Sequence, residues 1–450
     1  MRFRIRSSII AAAALCLSLS AAAQTAQETM TAREKEDLVA KLCGRIEKVY
    51  AFPENTDKIR GLLKANLAGE RYRNASTPAA FAACLDADIE SLTHDQHFGI
   101  TYDPARAGEM AAQAGNDLAF YTPQDIEEYR RLNYGLKEAR ILEGNIGYLE
   151  VRDFFPLKWS AEPAMAAMNF LANCDAVIVD LRWNGGGEDT TVTFLLSYFL
   201  GTGENGVIFN TNYTRSSDSY YVSATWPYVP GKTLSGKPLY ILTSRSSFSG
   251  AEAFAYRVQA LKRGAIIGER TRGGANPVVI EEIDGKYLVY IPSERLVSSL
   301  TGKDWEGVGV KPDIEAEASR ALAVAHQEAL KELGAKAADE KKKAFYQWTL
   351  VSVKAKESPA AVASEILRAY AGTYGDRTIH FEKDALYFRR GDRAKLRMIP
   401  MAQDLFLVDT QDQIRLRFVP EASGGYRLEV IYDTGRVVPY ARKSLGSESN

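Results

Sequence analysis

The sequence predicts an α/β fold carrying an N-terminal helical module and a C-terminal mostly-β domain. Three observations predict it. Between about 96 and 330, apolar strand-like runs ("IGYLEV", "AVIVDL", "PLYILTS", "AIIGE") alternate with helical stretches ("AEPAMAAMNFLAN", "GAEAFAYRVQALKR"), the pattern of a sheet with helical crossovers. Before that, residues 30 to 95 show apolar side chains at three and four spacing; after about 358, short alternating runs are separated by Gly, Asp and Asn turns. At 450 residues, 46% hydrophobic and 25% charged, the chain is long enough for two or three domains.

Taken in order, "MRFRIRSSIIAAAALCLSLSAAAQ" combines a basic start, an apolar run and an Ala-x-Ala end, so residues 1–23 are expected to be a secretory signal cleaved after Ala23. That predicts a periplasmic or secreted protein. The run is too short to span a membrane, no later segment approaches the ~20 apolar residues needed, and Cys16 lacks a lipobox. A helical module is expected over 30–98, where "TAREKEDLVAKLCGRIEKVYAF" and "STPAAFAACLDADIESL" carry the helical spacing, the second behind a Ser/Thr-Pro start. The α/β core is expected over 99–335. A helical stretch, "SRALAVAHQEALKELGAKAADEKKKAF", then leads to a β-rich domain over 358–445, entered by a helix at "PAAVASEILRAYAG" and continued by "TIHFEKDALYFRR", "DLFLVD", "IRLRFVP" and "YRLEVIYD".

Loss of Arg2, Arg4 and Arg6 takes the formal charge from -1 to about -4, which offers no basic field for nucleic acid. Peptides or small molecules are the expected partners, and nothing in the sequence sets an oligomeric state. Cys43, Cys84 and Cys174 remain after processing; an oxidising compartment permits a Cys43–Cys84 bridge, and two buried free thiols would look the same. No CxxC pair or His/Cys/Asp cluster suggests a metal, and no cofactor is expected.

Two turns carry candidate chemistry. In "AVIVDLRWNGGGED" an apolar strand ends in Asp180 and Arg182 and meets Gly185, Gly186 and Gly187, which let backbone N–H groups approach a ligand. The stretch lacks the Gly-Lys-Ser/Thr of a P-loop and the Gly-x-Gly-x-x-Gly of a dinucleotide site. In "SRSSFSGAEAF" four serines fall within six residues at a strand-to-helix seam. A serine there can project its hydroxyl with helix amides behind it. It is equally a helix cap, since Glu252 follows Ser249 by three residues as in a capping box. A serine nucleophile needs a base, and of four histidines, His326 sits on an amphipathic helix and His380 on an alternating strand, whereas His94 and His97 fall where the helical module gives way to a strand.

"DLRWNGGG", "TSRSSFSGAEAF", "RGAIIGERTRGGANP" and "DWEGVGVKPDI" occur in that order, and with "LTHDQHFGI" and "NYGLKEARILEGNIGYLEVRDF" they resemble the carboxyl-terminal processing (tail-specific) serine peptidases, in the branch of the tricorn core and the interphotoreceptor retinoid-binding protein modules. The likeness covers roughly 35 to 330. It implies a crotonase-like ββα-type peptidase core. Position by position, Phe-Ser-x-Ala-Glu implies Ser249 as nucleophile, Asp95-Gln-His97 implies His97 as general base, and Trp-Glu-Gly-x-Gly-Val implies Glu306 as the carboxylate of the charge network. The Gly250 amide and one of Gly186 or Gly187 complete an oxyanion hole.

One departure matters. The lysine of Ser-Lys members would fall on Gly274 in Thr271-Arg-Gly-Gly-Ala275, and Arg272 cannot replace it because a guanidinium is no base. A histidine-assisted mechanism is therefore expected. About 40 residues separate "HFGITYD" from "GNIGYLEV", too few for a PDZ module, so the cleft itself is expected to select substrate tails. The resemblance implies a serine endopeptidase acting on peptides or proteins; the same scaffold also permits a non-catalytic binder of hydrophobic ligands or peptides.

Overall fold

A computed structural model describes residues 29–443 except 114–117, 119, 204–205 and 423. The expected leader over 1–23, Cys16 included, lies outside the described residues.

The chain divides into two compact units, one holding residues up to 140 with 147–322, the other 141–146 with the chain from 323 onward. In the first unit, helices α1 (Ala32–Val49), α2 (Pro53–Ala68) and α3 (Pro78–Thr93) form where capping signals precede apolar spacing. Thr31 and Glu34 close a capping box on α1, and Thr77 caps α3 ahead of Pro78. Leu38, Leu42 and Ile46 of α1 and Phe81, Leu85 and Ile89 of α3 are buried in one stripe. These helices do not close a core among themselves. Their stripe packs on Ile283, Tyr287, Val289 and Ile291 of a three-stranded sheet, β1 (Gly99–Tyr102), β10 (Tyr287–Pro292) and β9 (Val278–Ile283), in the order β1-β10-β9.

After β1 come α4 (Pro104–Ala112), α5 (Pro123–Arg131), a short 3₁₀ turn (Asn133–Gly135) and β2 (Leu136–Leu142), the elements described between "HFGITYD" and "GNIGYLEV". The central sheet has the order β12-β8-β7-β4-β3-β2, with β3 (Ile146–Val151), β4 (Ala176–Asp180), β7 (Leu239–Thr243), β8 (Ala265–Gly268) and β12 (Ile314–Glu315). The strands β4, β7, β8 and β12 run parallel. Every residue of β3, β4 and β7 is buried, as near-continuous apolar runs covered on both faces require. Helices α6 (Leu157–Phe170), α7 (Asp189–Leu200) and α8 (Gly250–Ala260) are the crossovers. A third sheet, β11-β5-β6, uses β5 (Ile208–Thr214), β6 (Ser219–Ala224) and β11 (Glu294–Ser298); its strands are polar on much of their length, and the apolar-run signal did not mark them.

The second unit holds α9 (Ala321–Lys336) from residue 323, α10 (Glu340–Glu357), α11 (Ser364–Tyr370) and eight antiparallel strands in chain order: β13 (Gly372–Tyr374), β14 (Arg377–Glu382), β15 (Ala385–Arg390), β16 (Leu396–Pro400), β17 (Leu405–Val408), β18 (Ile414–Pro420), β19 (Tyr426–Tyr432) and β20 (Val437–Tyr440). The two ends of this meander are pinned together: Tyr374 bridges Arg442, and the Lys443 N–H donates to Thr373 O at 2.8 Å, which protects both edges. Its interior is filled by Tyr370, Tyr374, Phe406 and Phe418. The helix expected from 359 begins only at Ser364; the Ala360 N–H is drawn instead to Pro400 O at 2.9 Å.

Candidate active site

Three neighbouring parallel strands end at the same edge of the sheet, where open α/β sheets gather ligand-binding loops. β4 delivers the glycine turn, β7 the serine turn, and β8 the segment from 269 to 277. The four serines then cease to be equivalent. Ser244 Oγ donates to Arg182 O, and Ser247 Oγ donates to Leu181 O at 2.7 Å. The Ser244 N–H reaches Ser247 Oγ at 3.0 Å and the Ser246 N–H reaches Ser244 Oγ at 3.0 Å, while Ser246 itself is exposed. Two hydroxyls thus lace the turn to the exit of β4. Ser249, half-buried, stands directly before α8 at φ 53°, ψ −115°, a mirror-image backbone region that side-chain-bearing residues rarely adopt.

Glu252, fully buried, holds this conformation. It accepts from the N–H groups of Ser249 (2.9 Å), Gly273 (2.7 Å) and Gly274 (2.8 Å) and from Thr271 Oγ1, and burial pushes its carboxyl up to about 7 against those four donors. The sequence suggests a capping box here; the carboxylate also fastens the loop after β8.

The glycine turn lies against the serine. Phe248 N–H donates to Asn184 O at 3.1 Å, and a Cβ added to Gly186 would stand 2.7 Å from Ser249 Cβ and 3.0 Å from Gly250 N. The Gly186 N–H is engaged by Asn184 Oδ1 at 2.8 Å. The Gly187 nitrogen lies 3.3 Å from the point where a Cβ on Gly250 would sit, so Gly187 and Gly250 place their backbones side by side. Asp180 and Arg182, the polar end of β4, pair with each other, and Tyr148 Oη donates to Asp180 Oδ2 at 2.7 Å.

The remaining predicted residues arrive from far along the chain. α3 ends on His94, exposed and left-handed (φ 56°), whose N–H caps Glu90 O at 2.8 Å. Asp95, buried, accepts the His97 N–H on Oδ1 at 3.0 Å. Gln96 clasps the loop after β8, donating to Arg272 O (3.1 Å) and accepting from Arg272 Nε (2.8 Å). His97 stacks on Phe248 with centroids 4.6 Å apart, and both its ring nitrogens are buried and hydrogen-bonded to nothing, Ser249 included. Glu306 accepts on Oε2 from Ala275 N–H (2.6 Å), Asn276 N–H (3.3 Å) and Asn276 Nδ2 (3.1 Å), leaving Oε1 buried and unpartnered. Asp95 Oδ2 is in the same state. One donor atom from each of Asp95, His97 and Glu306 lies within 4.8 Å of the others.

Desolvation dominates the electrostatics. Burial, with Arg272 adding to it, pulls the His97 imidazole down to about 4. Burial, then the Asp95 charge, pushes Glu306 up to about 8, and burial pushes Asp95 up to about 6.

The space for a lysine at 274 is filled. A Cβ there would meet Phe248 Cε2 at 2.3 Å and His97 Cε1 at 2.6 Å, and Trp305 Nε1 holds the Gly274 carbonyl at 2.8 Å. His326 bonds Glu143 O at 2.7 Å and His380 sits half-buried on β14, and both belong to the second unit. Cys43, Cys84 and Cys174 are free thiols, so the bridge between the first two is absent here. Sequence reasoning used Asp95 only as a marker for His97 and missed its proximity to Glu306. The Asp-x-His spacing was the available signal.

Against this geometry, residues 145–316 match the family model described as peptidase family S41. They include the glycine turn, Ser249 and Glu306, while Asp95 and His97 precede them. A carboxy-terminal-processing protease of Bartonella bacilliformis is 26% identical over 253 residues, 54% of this chain and 56% of that protein, so the match spans little more than half of the relative's length. Among solved structures, a lipoprotein from Streptococcus agalactiae is similar with 14% identity and a TM-score of 0.46 over 66% of this chain and 96% of its own. The photosystem II D1 C-terminal processing protease follows with 15% identity and a TM-score of 0.42 over 64% and 94%. The tricorn protease has 13% and 0.41 over 65% and 35%. No described helix is long and apolar enough to cross a membrane.

Proposed function

We propose, from the premise that residues 145–316 are a peptidase family S41 domain, that this chain is a serine peptidase of the carboxyl-terminal processing kind. Ser249 attacks a peptide carbonyl, His97 takes its proton, Glu306 orients the imidazole, and the Gly187 and Gly250 amides bind the tetrahedral oxyanion. The observation that carries this reading is the backbone of Ser249: a non-glycine residue held at φ 53° by a buried carboxylate, between a strand end and a helix N-terminus. Its neighbours Ser244 and Ser247 have their hydroxyls engaged, which supports Ser249 as the reacting one. His97 is neutral at neutral pH, as a base must be, and neither ring nitrogen is engaged, so the unprotonated one is free to accept. It lies stacked on Phe248 with no hydrogen bond to Ser249, so the base and the nucleophile must come into hydrogen-bond contact when substrate binds.

Peptides or proteins are the substrates, selected by the cleft, and the signal over 1–23 directs the enzyme to the periplasm or outside the cell. The test is labelling by a fluorophosphonate and cleavage of a diverse peptide set, with Ser249→Ala as control. Labelling of the wild type alone supports the proposal. A wild type that neither labels nor cleaves overturns it in favour of a non-catalytic binder.

A further inference from the structure

We propose that Asp95, His97 and Glu306 also form a binding site for a divalent ion of the zinc class, and that the bound ion switches the peptidase off. The second half rests on the reading of His97 as the base; the first does not.

Burying a polar atom without a partner costs about 1–3 kcal/mol, more for a charged group. Here three residues that approach one another, each with one donor atom within 4.8 Å of the others, carry such atoms: Asp95 Oδ2, the ring nitrogens of His97, and Glu306 Oε1. Each carboxylate is anchored through its other oxygen, Asp95 by the His97 N–H and Glu306 by Ala275 and Asn276, so the free oxygens are fixed while the anchors act as outer-shell support. A nitrogen and two carboxylate oxygens suit zinc, with bonds of about 2.0–2.2 Å and a fourth position left for water. They are too few for calcium, which takes about six to eight oxygens. Zinc-bound donors stand roughly 3.3–3.5 Å apart, so donors within 4.8 Å need close in by no more than about 1.5 Å. The ion displaces the proton that burial favours on Glu306, and the two carboxylates then cancel the 2+ charge, which lets the ion sit in a buried place with the Arg272 guanidinium nearby. An imidazole whose lone pair is on the ion cannot accept the Ser249 proton.

The experiment uses untagged, chelator-stripped full-length protein in the Ser249→Ala background, so that binding is read independently of turnover. Zinc is titrated by calorimetry and cobalt by its visible absorption. One ion per chain is expected, with cobalt bands of tetrahedral intensity, and Glu306→Gln and Asp95→Asn each weakening binding by about tenfold or more. In the wild type, zinc should block fluorophosphonate labelling and chelator restore it. The absence of stoichiometric binding, or binding unchanged in both folded variants, overturns the metal site. If His97→Ala fails to fold, the near-isosteric Glu306→Gln decides. Binding by a wild type that never labels, even when metal-free, leaves the site standing and sinks the peptidase reading; labelling without binding does the reverse.

Discussion

The two halves of the site differ in how their polar groups are satisfied. Around Ser249 the donors and acceptors are matched: Glu252 alone takes four hydrogen bonds, and the serine turn is laced to β4 through Ser244 and Ser247. Around His97, four buried atoms on three residues have no partner at all. A saturated network fixes geometry and contributes stability. An unsaturated one costs stability, and holds its atoms ready for something that arrives later, a substrate hydroxyl or an ion. On the proposed reading, the nucleophile Ser249 is thus built into the matched half, while the base His97 sits in the half whose polar atoms lack partners.

Substitutions can break or sharpen this contrast. The largest effect is expected from Ser249→Ala, which should lower peptide cleavage on the order of 10⁴–10⁶-fold while barely moving the urea midpoint; residual cleavage near wild-type level would remove Ser249 from the chemistry. Next, Glu252→Ala strands three backbone N–H groups and a threonine hydroxyl in a dry interior. It should cost about 3–5 kcal/mol in urea unfolding, and a loss below about 1 kcal/mol would show that the rigid half is not held by this carboxylate. Glu306→Gln belongs to the other half. Cleavage should fall by about a hundredfold or more, with unfolding free energy within about 1 kcal/mol of wild type. Equal losses of stability in the Glu252 and Glu306 variants would erase the distinction between the halves. Smallest is Ser249→Gly: at φ 53°, ψ −115° glycine is the natural occupant, so the inactive variant should gain up to about 1 kcal/mol, read as a raised Tm.

Much of the matched half was legible because its determinants are local. The strands "AVIVDL" and "PLYILTS" are continuous apolar runs, and parallel pairing brings their following turns together without further information. Proposing Gly187 rather than Gly186 for the oxyanion rests on the Asn184 side chain, whose hydrogen bond to the Gly186 N–H no spacing rule reveals. The other half was legible only through resemblance. Asp95 and Glu306 are more than two hundred positions apart, and their approach depends on the pairing of β1 with β10, a short strand against a late hairpin. The same non-local pairing explains why the helices over 30–98, read as a module, share their core with β9 and β10. The strand β6 escaped because "SYYVSA" lacks a buried face, each residue being exposed or half-exposed.

The filled space at Gly274 has a bearing on how such a site can change over generations. A lysine there and the observed stacking of His97 on Phe248 compete for one volume. A side chain at 274 therefore requires the His97 and Phe248 rings to move from the positions they hold here. Substituting Gly274 with His97 in place meets two rings, and removing His97 first removes the base proposed for this site. On the proposed reading, exchanging one base for the other therefore requires two coupled changes, a side chain at 274 and a repositioned His97–Phe248 stack.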